Sequence, residues 1–284
     1  MVKIKVPATS ANLGAGFDCM GLALDIYNEL WIEPFDKIVI DTDDDLPKDG
    51  RNLVASTIKK TYEFLGKKFK GVYIKQINNI PKTSGLGSSA ACIVGGVTAA
   101  NSLLNYPMST EDVINLCTSF DGHPDNVVPA ILGGITVSVV NGAGKVHTFR
   151  CLPKKDLKIA VMIADFPLST TKARAVLPEM YSRADMVYSL SRAVATFAAL
   201  SQGEFDKLKY IMDDKIHTPY RRPLIKDFDK IVELFKRAGA LGIFLSGAGP
   251  TIAAFVDDNF VPFDTPKNWR LEIKNIIANG VYIE

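Results

Sequence analysis

The sequence predicts an α+β protein made of two domains. The chain has 284 residues, which is enough for one large or two modest domains. Segments with the alternating pattern of half-buried strands are interspersed with segments whose apolar residues recur at helical spacing. A polar stretch at 153–156 interrupts this succession and is predicted to be a linker. It divides the chain into an N-terminal domain at residues 1–155 and a C-terminal domain at residues 156–284.

The composition limits the classes of partner. Apolar residues make up 47% and charged residues 23% of the chain, and the net charge of +2 gives no reason to expect nucleic acid or a membrane as a partner. The four cysteines have no metal-binding spacing and are predicted to be buried thiols in a reducing compartment. The N-terminus has the pattern of a strand instead of a signal peptide, and no apolar run approaches membrane length. We therefore expect a cytoplasmic protein.

The first fifty residues are predicted to form strands around one polar loop. Residues 3–6 alternate as a strand and run into a loop of small residues at 7–18. Apolar residues then recur at even spacing over 22–32, which is typical of a long strand with one buried face. Residues 37–41 are predicted to pair with that strand, and the acidic stretch 41–50 is predicted to be an exposed connection.

A helix is predicted over residues 53–65, where apolar side chains share one face, and a strand over 71–77. The glycine-rich loop 81–91 follows and leads into a second helix that contains Gly95 and Gly96. Each of these glycines costs about 1 kcal/mol relative to alanine in a helix. That cost is tolerable where a neighbouring element packs very close.

The remaining elements follow in alternation. Residues 109–120 begin with the acidic first turn of a helix, and 141–144 have the composition of a hairpin turn. Further helices are predicted at 184–201, 204–213, 224–238 and 265–280. Further strands are predicted at 157–163, 242–245, 251–256 and 281–283.

The loop at residues 81–91 has the clearest chemical meaning. Its glycines allow positive φ and close approach of a ligand, and the unpaired N–H groups of the following helix favour an anion. Ser88 and Ser89 are placed to cap that helix or to offer hydroxyls to a metal or a phosphate. The loop is therefore predicted to hold phosphate, while a plain tight turn stays open on the glycines alone.

Two common nucleotide-binding loops fit this stretch poorly. No Gly-Lys-Ser/Thr follows the glycines, so it is not a Walker loop. It does match Gly-x-Gly-x-x-Ala, but a dinucleotide-binding loop directly follows a buried strand. Residues 72–77 alternate instead as a half-exposed strand, and Pro81 intervenes.

Three loops of small residues, at 7–16, 81–91 and 245–251, carry a resemblance to a known family, together with His-Pro-Asp-Asn at 123–126. The second loop reads Pro-x-x-x-Gly-Leu-Gly-Ser-Ser-Ala-Ala, the signature of the GHMP small-molecule kinases, and the chain resembles this family from residue 3 to about 256. The resemblance implies a two-domain GHMP kinase fold. Its N-terminal α/β domain would be like that of a ribosomal protein and its C-terminal α+β domain ferredoxin-like, with ATP and substrate in the cleft between them.

Within the family, these loops most resemble the members that phosphorylate L-homoserine. The expected activity is transfer of phosphate from ATP to the side-chain hydroxyl of L-homoserine, a step that leads to threonine, with ATP and Mg²⁺ as cofactors. Family members that act on mevalonate, shikimate or diphosphocytidyl-methylerythritol stay open as alternatives. A nucleotide-binding regulator that lacks activity stays open as well. The oligomeric state is open, with a homodimer as one expectation.

The resemblance also assigns roles to individual residues. The ATP-binding residues are Pro81, Lys82, Thr83, Ser84, Gly85, Leu86, Gly87, Ser88, Ser89, Ala90 and Ala91. The catalytic residues are Ser88, Asp121 and Asn126, of which Ser88 and Asp121 would hold Mg²⁺. The substrate-binding residues are Asn12, Asp18, His123, Thr170, Arg174 and Arg221. Asn12 and Asp18 would hold the ammonium end or the hydroxyl, and the two arginines would form a fork for the carboxylate. The loop 246–251 would brace the phosphate loop.

Two positions depart from the family pattern. Asp121 stands where the family usually has glutamate; its shorter carboxylate could still reach Mg²⁺, directly or through a water, and whether it replaces the usual glutamate stays open. Ser119 stands where a second glutamate is often found, so the acidic set is smaller.

Taken by themselves, the residues leave plainer roles open. Arg174 and Arg221 are compatible with surface arginines, His123 with a turn cap and Asn126 with an Asx turn. Asp18 is harder to explain in this way, since a carboxylate between apolar neighbours needs a polar partner.

Overall fold

The computed structural model describes residues 1–152 and 157–284. The predicted linker at 153–156 lies outside the described residues, and the domain boundary within it stays a prediction. The helices are α1 (Leu53–Phe64), α2 (Ser88–Leu103), α3 (Thr110–Asp121), α4 (Pro124–Leu132), α5 (Thr170–Ala175), α6 (Arg183–Gln202), α7 (Leu208–Ile211), α8 (Thr218–Arg221) and α9 (Phe228–Arg237). The strands are β1 (Val2–Ala11), β2 (Met20–Pro34), β3 (Ile38–Asp41), β4 (Val72–Asn78), β5 (Ile135–Val140), β6 (Val146–Cys151), β7 (Lys158–Ala164), β8 (Gly242–Leu245), β9 (Ile252–Val256), β10 (Trp269–Asn275) and β11 (Tyr282–Ile283).

The first sheet is built around the long strand β2. Its order is β11-β1-β2-β4-β3, with β5 paired to β2 and β6 paired to β5. Because β2 has 15 residues, it pairs with β1 along most of its length, with β4 through its second half and with β5 at its start. The predicted pairing of 37–41 with β2 is wrong: β4 takes that side of β2, and β3 runs parallel to β4.

Strand β1 extends further than predicted, through residues 7–11, which were expected to belong to a loop. The register shifts between Pro7 and Ala8, as expected where a proline cannot donate to the ladder. The strand ends at Ala11, so the rigid sheet carries the chain directly to Asn12.

The second sheet is antiparallel, in the order β10-β7-β9-β8. The helix predicted over 265–280 is wrong, because β10 pairs with β7 along all seven of its residues. Trp269 and Leu271 alternate toward the apolar core beneath this sheet. Pairing with a buried strand therefore outweighs the local preference of Thr265-Pro266, a dipeptide typical of a helix start.

Two helices are shorter than predicted. Residues 204–213 contain one 3₁₀ turn, Phe205–Lys207, followed by the four-residue helix α7. Helix α9 begins at Phe228 instead of 224, since Pro223 lies in a 3₁₀ turn and Asp227 has a φ of 59°. A left-handed residue at that position separates the two segments.

The cysteines are all free thiols, of which Cys92 and Cys117 are buried as predicted and Cys19 and Cys151 are half-buried. None of the described helices combines the length and the apolar character needed to cross a membrane.

Helix α2 packs on β1 and β2 and also against α1. Gly95 and Gly96 lie at these contacts. This agrees with the expectation that glycine is tolerated in a helix where a neighbouring element packs very close. A Cβ at Gly95 would lie 2.5 Å from Leu30 Cδ1. A Cβ at Gly96 would lie 2.7 Å from Thr57 Cβ and 3.0 Å from the Val54 carbonyl oxygen. The glycines thus let α2 approach both the sheet and α1.

Gly96→Ala should destabilise the protein although alanine is the better helix former. The new methyl meets backbone and a β-branched side chain, so we expect a loss of about 1–3 kcal/mol in the free energy of unfolding. Gly95→Ala is the matched control, because the atoms nearest to its methyl belong to side chains, Leu30 Cδ1 at 2.5 Å and Val6 Cγ2 at 3.3 Å, and not to the backbone. Urea titration of both variants measures the difference. Equal losses, or a gain for Gly96→Ala, would contradict this account of the packing.

Candidate active site

A cavity of about 350 Å³ lies where three loops meet: the turn after β1, the loop before α2 and the loop between β8 and β9. All six predicted substrate-binding residues line it: Asn12, Asp18, His123, Thr170, Arg174 and Arg221. The three predicted catalytic residues, Ser88, Asp121 and Asn126, line it as well. Among these nine predicted residues, the cavity brings together positions up to 209 apart in the sequence, Asn12 and Arg221 being the extremes.

The predicted ATP-binding loop contributes only part of its length to the cavity. The residues that line it are Thr83, Ser84, Gly85, Gly87, Ser88, Ser89 and Ala90. Leu86 and Ala91 are fully buried beneath the loop. Pro81 and Lys82 do not line the cavity, and the Lys82 ammonium bonds instead to the carbonyl of Asp45.

Two glycines in this loop have no room for a side chain. Gly85 and Gly87 have φ values of 87° and 69°, in the left-handed region. A Cβ at Gly85 would lie 2.3 Å from the Ser246 carbonyl oxygen, and one at Gly87 would lie 2.0 Å from Thr9 Oγ1. The loop is therefore closely packed from behind and its conformation is imposed by glycine.

The N-terminus of α2 is open toward the cavity. Gly87 is the N-cap residue and has no side chain to cap the helix, so of the two alternatives for Ser88 and Ser89, the capping role is wrong. Both serines lie in the first turn, and within the described chain the N–H groups of residues 88–90 donate no hydrogen bond. Unpaired N–H groups and the helix dipole together favour an anion at this position.

The loop between β8 and β9 braces the phosphate loop, as predicted. Thr251 N donates to Ser84 O at 3.0 Å, and Ser246 Oγ donates to Gly85 O at 2.6 Å. Ser246 Oγ also lies 2.6 Å from Ser10 Oγ. Because the Ser246 hydroxyl has one hydrogen and gives it to Gly85, the Ser10 hydroxyl is the donor in that second bond.

Asp18, Arg174 and His123 form one hydrogen-bonded cluster. The Arg174 guanidinium donates to both oxygens of Asp18, at 3.1 and 2.8 Å, in the bidentate geometry of a strong pair. It also donates at 3.3 Å to His123 Nδ1, so that nitrogen carries no proton. The proton lies on Nε2, which is 3.4 Å from Asp18. Burial lowers the pKa of His123, which favours the same neutral ring.

Arg221 is only 2% exposed, yet it has no carboxylate partner within ion-pair distance in the described residues. Its Nε donates to Ala173 O at 3.1 Å and its Nη1 to Gly247 O at 3.0 Å. Nη1 also lies 3.4 Å from Nδ1 of the buried His217. Burial, and then the charge of Arg174, lower the pKa of Arg221. Its guanidinium is held in place by neutral groups, and Asp18, Asp214 and Asp125 attract its charge only from beyond ion-pair distance.

The two asparagines of the cavity are held by their neighbours. Asn12 Nδ2 donates to Gly247 O at 2.8 Å, and Asn12 Oδ1 accepts from Asp18 N at 3.1 Å, so Asn12 ties two of the loops together. Asn126 Oδ1 accepts from Thr9 Oγ1 at 2.8 Å. Asn126 Nδ2 donates one hydrogen to Asp125 Oδ1 at 3.3 Å, and its second hydrogen is left for a ligand.

Thr170 and Arg174 are placed by the short helix α5. Ser169 caps the helix by accepting from Lys172 N, and the spacing of four residues puts Thr170 and Arg174 on one face. Both side chains line the cavity.

Two carboxylates near α3 and α4 complete the cavity. Asp121 ends α3, and burial raises its pKa to about 6. Asp125 lies in the first turn of α4 and is 5% exposed; burial, and then the charges of Asp18 and Asp121, raise its pKa to about 7. Sequence reasoning missed Asp125. Its sequence context could have indicated it: like Asp18, Asp125 is a carboxylate beside apolar residues and therefore needs a polar partner.

Two family models match the chain: "GHMP kinases N terminal domain" over residues 52–134 and "GHMP kinases C terminal" over residues 194–260. The chain belongs to the GHMP kinase family, with its two-domain fold, and both predictions are confirmed.

Its relatives within the family place it more narrowly. It is similar to the homoserine kinase of Caldicellulosiruptor bescii, at 44% identity over 98% of this chain and 92% of the relative. It is similar to the homoserine kinase of Clostridium acetobutylicum, at 45% identity over 100% of both chains. The crystal structure of homoserine kinase from Cytophaga hutchinsonii superposes with a TM-score of 0.86 at 28% identity, covering 100% of this chain and 97% of that one.

Asp125→Asn should change how stability depends on pH. An aspartate in the unfolded chain has a pKa of about 3.9, so between about pH 4 and about pH 7 the folded protein binds more protons at Asp125 than the unfolded chain. The free energy of unfolding contributed by this group therefore falls as pH rises through that window. Asparagine stays neutral at every pH. The free energy of unfolding of the variant should therefore exceed that of the parent protein by about 1–4 kcal/mol between about pH 5 and about pH 8.

Urea titrations at several pH values measure this gain, with Asp43→Asn as the exposed control. The charged groups that act on Asp125 are Asp18, Asp121 and Arg174, and they remain in the variant together with the backbone N–H of Asn126. Parallel pH profiles for Asp125→Asn and the parent protein would contradict the account.

Proposed function

We propose that this protein is a kinase that transfers the γ-phosphoryl group of ATP to the side-chain hydroxyl of L-homoserine, a step in threonine biosynthesis. The observation that carries this proposal is the lining of one cavity. An uncapped helix N-terminus suited to phosphate and a buried arginine without a carboxylate partner face the same space. Full-length identity of 44–45% to homoserine kinases supports the same conclusion.

The phosphate loop is proposed to bind the triphosphate through its backbone. The N–H groups of residues 88–90 are unpaired in the described chain, and Gly85 and Gly87 leave the main chain exposed to a ligand. Phosphate oxygens would accept hydrogen bonds from these N–H groups, as they do at other open helix N-termini. The backing by Ser246 and Thr251 keeps the loop in place while the ligand binds.

The part of the cavity lined by Arg221 and Asp18 is proposed to bind the charged groups of homoserine. In the part of the chain that is described, Arg221 has no carboxylate at ion-pair distance and no acceptor for either hydrogen of Nη2, so it suits the carboxylate. Asp18 suits the ammonium group. Since Asp18 and Arg174 bind each other in this structure, the ammonium group would compete with Arg174 for Asp18 while the carboxylate binds Arg221.

The reaction then depends mainly on alignment and charge. Phosphoryl transfer asks a protein to bring the hydroxyl in line with the γ-phosphate and to neutralise charge, so a strong general base is not required. The amide donor of Asn126, oriented by Thr9, is proposed to hold an oxygen of the reacting groups. Arg174 and the helix N-terminus lie around the same cavity and would oppose the developing negative charge.

A magnesium ion fits the residues present. Asp121 has neither a hydrogen bond nor an ion pair in the described residues, and burial raises its pKa to about 6. An unpaired carboxylate beside a phosphate loop is what a divalent cation needs. The described residues contain no group of three or more His, Cys, Asp or Glu that could hold a metal, but Mg²⁺ commonly uses one or two carboxylates with substrate phosphates and waters. Ser88 and Asp121 are proposed to hold it, and it would supply charge neutralisation at the phosphates.

The location and partners follow the same proposal. We propose a cytoplasmic protein whose partners are L-homoserine and ATP, without nucleic acid, in line with the net charge of +2.

ADP release with three acceptors tests the function directly. We expect turnover with L-homoserine and little above background with mevalonate or shikimate, because neither places an ammonium group next to its carboxylate for Asp18. The measurement is a coupled assay at matched ATP. Faster turnover with mevalonate or shikimate than with homoserine would overturn the proposed substrate.

A magnesium titration of activity tests the role of Asp121. Asp121→Asn removes the charge, so it should be slow and should recover part of its activity at high magnesium. Asp121→Glu restores the residue common in the family and should resemble the parent protein. Asp43→Asn serves as the control for loss of an exposed carboxylate. Superimposable magnesium curves for all four proteins would mean that Asp121 does not contribute to the metal site.

A further inference from the structure

Phe17 does not line the cavity, yet its ring lies against three of the groups that organise it. The Arg221 Cζ is 5.2 Å from the ring centroid and the Arg174 Cζ is 5.7 Å from it. The His217 ring stacks on it with centroids 5.2 Å apart and planes inclined by 23°. Both guanidinium groups are thus within the range of about 6 Å in which the negative face of a benzene ring attracts a cation.

The two guanidinium groups differ in how their charges are balanced. Arg174 has Asp18 as a bidentate partner, and hydrogen bonds from this pair raise its pKa. Arg221 has only neutral partners in the described residues: two carbonyl oxygens and the Nδ1 of His217. The Phe17 face is therefore the attractive contact at close range for a buried Arg221, in addition to the longer-range attraction of Asp18, Asp214 and Asp125.

His217 is neutral and is fixed in one tautomer. Its Nδ1 accepts from Arg221, so the proton is on Nε2, which donates to Gly14 O at 2.8 Å. Burial lowers its pKa in agreement with this. The imidazole thus supports Phe17 from the protein interior without adding a third positive charge to the two arginines.

The backbone keeps Phe17 and Asp18 in separate environments. Asp18 has a φ of 58°, and its N–H donates to Asn12 Oδ1 at 3.1 Å. This turn directs the Asp18 carboxylate into the cavity while the preceding ring packs between Arg174, Arg221 and His217. Any movement of Phe17 is therefore passed on to groups at both ends of the substrate.

We propose that Phe17 is a positioning residue that holds the Arg221 guanidinium at the angle needed to receive the substrate's carboxylate. The proposal rests on the proposed function, in that it takes a carboxylate as the group Arg221 receives. Phe17 acts through the arginine and touches no reacting atom. Its ring supplies a flat, polarisable face that an aliphatic side chain of similar bulk does not supply.

The test is a comparison of Michaelis constants in Phe17→Leu, Phe17→Tyr and the parent protein. Leucine keeps an apolar side chain but removes the ring, so the KM for L-homoserine should rise roughly tenfold while the KM for ATP changes little. Tyrosine keeps the ring and should restore a KM close to the parent value. Phe69→Leu is the matched control, since Phe69 is also half-buried and packs edge-on against Tyr62, away from the cavity.

A substrate without the carboxylate separates positioning from a general loss of structure. For 3-aminopropan-1-ol, which is homoserine lacking that group, kcat/KM should be the same in Phe17→Leu and the parent protein. A parent-like homoserine KM in Phe17→Leu would overturn the proposal, as would equal losses with both alcohols. If the parent protein itself turns over both alcohols equally well, the proposed function fails instead, because no carboxylate is then being recognised. Melting temperatures of all variants identify any that fail to fold, and the Tyr variant then decides the outcome.

Discussion

The buried hydroxyl of Ser246 is the contact on which the candidate site most depends. It donates to the carbonyl of Gly85 in the phosphate loop and accepts from Ser10 near the end of β1. Ser246 follows β8 in the second sheet, whereas Ser10 belongs to the first, so one side chain fastens both sheets to the phosphate loop. A Cβ at Gly85 would collide with the Ser246 carbonyl oxygen, so only glycine lets the phosphate loop lie this close to the loop between β8 and β9. The site is thus assembled by the junction of the two sheets and belongs to neither alone.

The charges around the cavity follow from that junction. Asp18, Asp121 and Asp125 face the cavity with Arg174 and Arg221, while His123 and His217 are neutral by the tautomers that their arginine neighbours impose. These charges are only partly paired. Arg174 forms an ion pair with Asp18, whereas in the described residues no group of opposite charge lies within ion-pair distance of Arg221, Asp121 or Asp125. Buried charges without partners are costly, so a protein retains them where a ligand will compensate them. A zwitterionic amino acid, a polyphosphate and a divalent cation together supply the missing charges.

Part of this site could be predicted from the sequence, because the phosphate loop consists of consecutive residues, whereas Thr170, Arg174 and Arg221 were assigned only by the family resemblance. The glycine pattern of 81–91 predicted a phosphate loop, and the apolar neighbours of Asp18 predicted a partner for it. What failed depended on tertiary contacts. The capping role of Ser88 and Ser89 was wrong because Gly87, in a left-handed conformation, takes the cap position. The strand β10 was taken for a helix because its pairing with β7 is invisible to local pattern. Asp125 and Phe17 were missed because their importance comes from neighbours distant in sequence.

The central claim is that one cavity binds the triphosphate at the N-terminus of α2 and the amino acid at Arg221 and Asp18. A crystal structure with L-homoserine and a non-hydrolysable ATP analogue tests it most directly. The account predicts phosphate oxygens within hydrogen-bond distance of the N–H groups of residues 88–90. It also predicts the substrate carboxylate on Arg221 and its ammonium group on Asp18. A carboxylate bound away from Arg221, or phosphates bound elsewhere than the first turn of α2, would contradict it.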